Sequence, residues 1–214
     1  MNLIAAVLIF LSALFPYEHV EVRGEQAVTY EKPIMMQKVE REDLVDFVRD
    51  VFGAREELYG AYIDIDTFLK LAFLPVEHVD KMPDIFAIYY KKPSSYKDER
   101  ELKLKLFKIL SIKEEYIDYI NGKTDYITDD IEPEKPVNIG TIYEDDDRTI
   151  DLEMFKTTFE NQDAAYYVLQ FDLSYSYQDM GFYTSFITKM YDIKDLRKVS
   201  SDVITKLKAV KIQK

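Results

Sequence analysis

Residues 164–178 read AAYYVLQFDLSYSYQ. The odd positions are Tyr167, Leu169, Phe171, Leu173, Tyr175 and Tyr177, and the even ones Tyr166, Val168, Gln170, Asp172, Ser174 and Ser176. Successive side chains of a strand point to opposite faces, so period two gives one apolar and one mostly polar face. The pattern predicts a strand lying on a core, with water on its far side.

Neighbouring segments support an antiparallel sheet. Gln178-Asp179-Met180-Gly181 carries turn residues, and FYTSFITKMYDI, from Phe182, is rich in the Phe, Tyr, Thr and Ile that suit strands. Upstream, VNIGTIY and TIDLEM flank Glu144-Asp145-Asp146-Asp147-Arg148, which reads as a hairpin loop. Residues 123–136, KTDYITDDIEPEKP, hold Pro133 and Pro136 and few apolar side chains, and read as a linker.

The first half reads as helical. In REDLVDFVRDVF, residues 41–52, the apolar side chains share one helical face, with Glu42 and Asp43 in the first turn. Gly53 and Gly60 bracket a break. DIDTFLKLAFLP then reads as a helix capped by Asp64 or Asp66 and stopped by Pro75. PDIFAIYYKKP fits helix or buried strand. SYKDERELKLKLFKIL, residues 95–110, has Ser95 and Asp98 at capping-box spacing and reads as helix. Ser111 with Glu114 opens a further helix, closed by Asn121-Gly122. Near the C-terminus, Ser200, Ser201 or Asp202 is expected to cap a helix carrying Val203, Ile204, Leu207 and Val210, with VKI as a short last strand. The fold class is therefore α+β: a helix-rich N-terminal half packed on an antiparallel β-sheet formed mainly by the C-terminal half.

The chain opens MNLIAAVLIFLSALFPYEHV. A helix over Leu3–Phe15 would be about 20 Å long, short against a hydrocarbon core of about 30 Å. That length suits the apolar region of a signal peptide, although no Lys or Arg precedes it. Glu18, Glu21 and Glu25 follow with only Arg23 against them, which favours carrying the bulk across a membrane. Val22-Arg23-Gly24 is a weak cleavage signal. A buried N-terminal element remains the alternative, because a short apolar run looks the same in either setting. The expected organisation is an apolar leader over 1–24, a signal peptide or membrane anchor, and one α+β domain over 25–214, with any subdivision at 123–136.

Composition limits function. The chain has 214 residues, 47% of them hydrophobic, enough for a proper core, and its net charge of −12 opposes generic nucleic-acid binding. Residues 125–153 hold eleven acidic against two basic side chains, and residues 189–214 eight basic against three acidic. With no cysteine there is no disulfide, thiolate metal site or catalytic thiol. The six glycines are scattered, so the clustered backbone N–H groups of a phosphate-binding loop are missing. Of the two histidines, His78 sits between Glu77 and Asp80, a pattern most simply read as a solvated surface. Loop 144–148 lacks the alternate ligands, glycine and distal glutamate of a calcium loop.

No catalytic, cofactor-binding or metal-ligating residue is singled out, and the chain is not expected to be an enzyme. Seventeen tyrosines and no tryptophan suit half-buried sheet faces and interfaces, and Tyr167, Tyr175 and Tyr177 are the candidate protein-interaction residues. The expected function is a non-catalytic, exported or membrane-anchored interaction or assembly module. Its partner is another protein or a second copy, with membrane contact through residues 3–17 and no nucleic acid or cofactor. The alternatives are a virion or other large-assembly structural subunit, cytoplasmic or in the virion, whose apolar N-terminus packs in a subunit interface and whose acidic loop meets a neighbour's basic tail, and an extracellular carboxylate-based hydrolase.

Overall fold

The computed structural model describes residues 17–22, 26–31, 36–52, 58–71, 82–90, 113–158, 165–175 and 182–213. The helix expected over 95–110 and the His78 cluster lie outside these residues, as does Tyr177.

The quoted stretch forms β8 (Ala165–Tyr175) of an antiparallel sheet. Its neighbours are β7 (Arg148–Thr158) and β9 (Phe182–Met190), and the sheet runs β3-β4-β5-β9-β8-β7-β6. The other members are β3 (Met36–Lys38), β4 (Leu58–Asp64), β5 (Ile85–Tyr90) and β6 (Val137–Glu144). Register places Ile150 opposite Leu173, Leu152 opposite Phe171 and Met154 opposite Leu169, so the apolar sets share one face. A second sheet joins β1 (Tyr17–Val22), β2 (Gln26–Glu31) and β10 (Lys211–Gln213), with β2 in the middle.

Four helices flank the main sheet among the described residues: α1 (Glu42–Phe52), α2 (Ile65–Leu71), α3 (Glu114–Ile120) and α4 (Leu196–Lys208). One sheet face packs Leu152, Phe171 and Phe186 against Tyr116 and Tyr119 of α3 and Leu196, Val203 and Leu207 of α4. The other packs Ile63, Ile85 and Ile187 against Leu44 and Val48 of α1 and Leu71 of α2. Each such side chain contributes about 1.5–3 kcal/mol when fully buried, so packing rather than helix propensity holds these short helices.

The α+β class and the antiparallel sheet are as the sequence indicates. The helix-rich first half is not supported. Residues 17–90 carry five strands and two helices, and β3, β4 and β5 extend the sheet that β6–β9 build. Gly60 does not break the chain. It lies inside β4, where the register with β5 shifts between Leu58 and Gly60, and the missing side chain eases that irregularity.

The far face of β8 is also covered. Asp172 is 4% and Ser174 8% exposed. Asp172 tolerates burial because Ser185 donates its hydroxyl to Oδ1 and Gln170 Nε2 donates to both carboxylate oxygens at 3.1–3.2 Å. Alternating polarity marks two faces; it does not show that the polar one is wet.

Other elements differ at their ends. α3 has Lys113 at its N-cap, with no side-chain cap. Its C-terminus stops as expected: Gly122 has φ +73°, Lys123 N–H reaches the Asp118 carbonyl at 2.9 Å, and Gly122 N–H that of Tyr119 at 3.1 Å. α4 begins at Leu196, after a 3-10 turn over Ile193–Asp195, so Ser200 is interior and fully buried. The stretch 123–136 is held to the body. Ile131 is 3% exposed, Glu134 N–H reaches the Lys156 carbonyl at 2.8 Å, and Pro133 bridges to Lys156.

Candidate binding groove

α4 buries Leu196, Ser200, Val203 and Leu207, spaced to form one stripe along the helix. The flank beside that stripe, carrying Val199, Asp202 and Lys206, overhangs β9 and the start of β5. Phe186 and Thr188 lie below it on β9, and Asp84 precedes β5. The result is a groove of about 520 Å³ between helix and sheet, within the range of ligand sites. Its floor is apolar: Phe186, Val199 and Val203. Its helical wall is polar, with Lys198, Ser201 and Thr205 beside the Asp202–Lys206 pair.

Charges of both signs face this space. Lys206 Nζ lies 2.7 Å from Asp202 Oδ2 and 5.2 Å from the Phe186 ring centre, so it reaches across the apolar floor. On the opposite side Thr188 Oγ1 donates to Asp84 Oδ1 at 3.0 Å, and Lys189 Nζ stands 3.5 Å from the same oxygen. Burial pushes the Asp84 carboxyl up from its usual value, and the Lys189 charge only partly offsets it. Asp64 fixes the position of Asp84. Its Oδ1 caps α2 through Thr67 N–H at 2.9 Å, and its Oδ2 accepts from Asp84 N–H at 3.0 Å.

Of the tyrosines singled out by sequence, Tyr167 is not among the groove's lining residues. Tyr167 is 4% exposed, and its hydroxyl donates to Asp129 Oδ2 at 2.5 Å. Lys156 Nζ meets that oxygen at 2.5 Å and lies 5.4 Å from the Tyr167 ring centre. Tyr116 mirrors this, donating to Asp130 Oδ1 at 2.5 Å beside Lys113. These two tyrosine–carboxylate–lysine sets anchor residues 128–131 to α3, β7 and β8. Tyr175 ends β8, opposite Arg148 of β7. The large apolar side chains most exposed among the described residues are instead Tyr126, at 74%, and Tyr191, at 54%.

The acidic loop is committed internally. Asp145 Oδ1 accepts from Asp147 N–H at 3.1 Å and Arg148 N–H at 2.8 Å. Its Oδ2 accepts from Tyr143 Oη and Arg148 Nη2, both at 2.8 Å, and from Arg148 Nε at 3.2 Å. The Arg148 guanidinium holds this carboxyl well below its usual range. Among the described residues no group of three or more His, Asp or Glu side chains is placed to hold a metal ion.

No motif announces the groove. Its residues come from positions 84, 186–188 and 198–206, and only the sheet order brings them together.

Fold and groove together define an α+β protein with an antiparallel sheet flanked by helices on both faces. No family model matches the chain, and no curated protein does. Among solved structures it is similar to LpqN, which is involved in cell envelope biogenesis of Mycobacterium tuberculosis. The identity is 9% and the TM-score 0.40, over 92% of this chain and 91% of that one. Among the described residues no helix is long and apolar enough to cross a membrane.

Proposed function

We propose that this chain is a non-catalytic protein-interaction module, anchored to a membrane or carried across it by the apolar stretch that precedes β1. The observation that carries the interaction reading is the groove beside α4. An apolar floor of Phe186, Val199 and Val203 takes an apolar side chain of a partner segment. The Ser201 and Thr205 hydroxyls meet the polar backbone of that segment, and the Asp84 and Lys206 charges on opposite sides set its direction. The apolar opening stretch, with acidic residues and no basic block after it, carries the placement at or beyond a membrane.

A substitution that fills the groove tests this reading. Thr205 is exposed on α4, so Thr205→Trp places a large ring over the floor from the surface and leaves every buried side chain unchanged. Complexes gently extracted from the native host are compared for the two forms by native electrophoresis. Loss of a discrete complex on Thr205→Trp, with the melting temperature within about 2 °C of the parent, supports the reading. The same complex in both forms overturns it.

A further inference from the structure

We infer that the groove beside α4 is filled by Tyr126 of a second copy of this chain, two copies pairing about a two-fold axis; the inference rests on the reading of the groove given above. Tyr126 is 74% exposed, the most of any large apolar side chain among the described residues. It does not line the groove of its own chain. On a loose loop such a side chain would call for no explanation. This loop is fixed on both sides. Before Tyr126, Arg197 Nη1 donates to Asp125 Oδ1 at 3.0 Å and its Nη2 donates to the Thr124 carbonyl. After it, Tyr167 and Tyr116 hold Asp129 and Asp130. The Tyr126 N–H itself donates to Thr124 Oγ1 at 3.2 Å. The ring is thus presented from an ordered backbone, which lowers the entropy lost on binding. Tyrosine also joins a large apolar ring to a polar tip, as interfaces favour.

The groove offers an apolar floor for that ring, and the charges match as well. Asp202 pairs with Lys206 at 2.7 Å and Asp84 with Lys189 at 3.5 Å, whereas Lys198 forms no ion pair among the described residues. Asp202 is better placed for Lys206, because an acid four residues before a base is the favoured order on a helix. The groove therefore keeps one uncompensated positive charge. α4 as a whole carries Arg197, Lys198, Lys206 and Lys208 against Asp202, in a chain of net charge −12. The loop has the opposite sign: residues 125–134 hold five carboxylates and no Lys or Arg. The Asp125 side chain is 95% exposed despite its Arg197 contact, which leaves an oxygen for Lys198 of the other copy. Opposite charges of this kind steer two copies together and fix their register.

Loop and groove lie side by side on one helix. Arg197 reaches the loop and Lys198 lines the groove, and consecutive helical residues point about 100° apart. Both features therefore flank the same end of α4. A two-fold axis beside that end brings each loop to the other copy's groove, and the pair closes on itself. Were they on opposite faces, the same contact would repeat head to tail as a filament.

The test uses the full chain in detergent, with its assembly read by native mass spectrometry and sedimentation. The parent is expected at twice the 25.3 kDa of one chain. Tyr126→Ala and Thr205→Trp, each alone, are expected to pair at least about tenfold more weakly, with melting temperatures within about 2 °C of the parent. Mixed together, the two variants are expected to regain pairing in mixed pairs, because Tyr126 of one still finds an open groove on the other. A single-chain parent, parent-like pairing of Tyr126→Ala, or a mixture that associates no better than either variant alone overturns the inference. A native-host complex that holds a different protein, lost on Thr205→Trp and kept on Tyr126→Ala, also overturns it and leaves the groove reading standing. If neither substitution alters any complex, both fall.

Discussion

Arg148 Nη1 donates to the carbonyl oxygen of Lys208 at 2.9 Å, joining the tip of the β6–β7 hairpin to the last turn of α4. The last carbonyls of a helix lack intrahelical donors and carry partial negative charge, so a guanidinium is well suited there. Lys208 returns the contact by placing its ammonium 4.3 Å from the Tyr143 ring centre. The acidic hairpin and the basic tail, opposite in charge along the sequence, thus meet within one chain. Arg148→Ala removes this contact and the fork onto Asp145. With these groups about a quarter exposed, the expected loss is about 1–2 kcal/mol. That is a fall of about 2–8 °C in melting temperature, with faster amide exchange at 141–151 and 205–210. An unchanged melting curve would show that the hairpin is held by β6–β7 pairing alone.

Asp129 and Asp130 predict a shape for the acid limb of the stability curve. Partial burial works against Asp129 ionisation, but Lys156 and Tyr167 outweigh it and hold the carboxyl below its usual 3.8. Lys113 and then Tyr116 do the same for Asp130. A carboxyl lowered on folding stabilises the protein above its unfolded pKa, and that contribution is lost as pH falls through the folded one. Stability should therefore drop below about pH 3.8. Asp129→Asn with Asp130→Asn should be less stable at pH 7 and show a flatter acid limb in urea titrations.

The tyrosines of the same sets predict the alkaline limb. Burial, and then the facing carboxylates, push Tyr116 and Tyr167 well above their usual 10.0. Groups raised on folding stabilise below their unfolded pKa and lose that contribution as pH rises. Ultraviolet titration should show both hydroxyls ionising only with unfolding. Tyr167→Phe should cost about 1.5–3 kcal/mol at pH 7, a cost that shrinks above about pH 10. Early ionisation of all tyrosines would contradict this.

Asp84 predicts the opposite sign at neutral pH. Its carboxyl is raised by burial despite Lys189 and Thr188, so the ionised form is a net cost to the folded state. Asp84→Asn keeps an acceptor for Thr188 and removes the buried charge. The variant should be more stable than the parent at pH 7. The gain should fall as pH drops into the raised range of Asp84 and vanish below about pH 3.8. A destabilised variant at pH 7 would show that the Lys189 pair outweighs the cost of burial.

Legibility in the sequence followed the reach of each signal. α1 was plain because six apolar residues and an acidic first turn fall within 41–52. β6 to β9 were plain because period two persists over long runs. β4 was hidden by Gly60, which reads as a break until its register with β5 is known. β1 was hidden by its position behind an apolar run, where six residues of mixed character carry no period. The far face of β8 looked wet because Asp172 and Ser174 are polar, yet both are buried, and Ser185 and Gln170 supply Asp172 with what water would have. Tyr167 reads in the sequence only as an amphipathic side chain; its hydroxyl bond to Asp129, thirty-eight positions away, is set by the fold. The groove left no local trace, since Asp84 and Lys206 are neighbours only through β5, β9 and α4.

The account stands on the groove as the partner's seat, and photo-crosslinking in the native host tests it most directly. A photoreactive residue is placed singly at Ser201 or Thr205 on the groove wall, and at Lys70, exposed on α2, which packs on the opposite sheet face. The account predicts one adduct of defined mass from both groove positions and none from Lys70. Adducts from Lys70 alone, or none from either groove position, would contradict it.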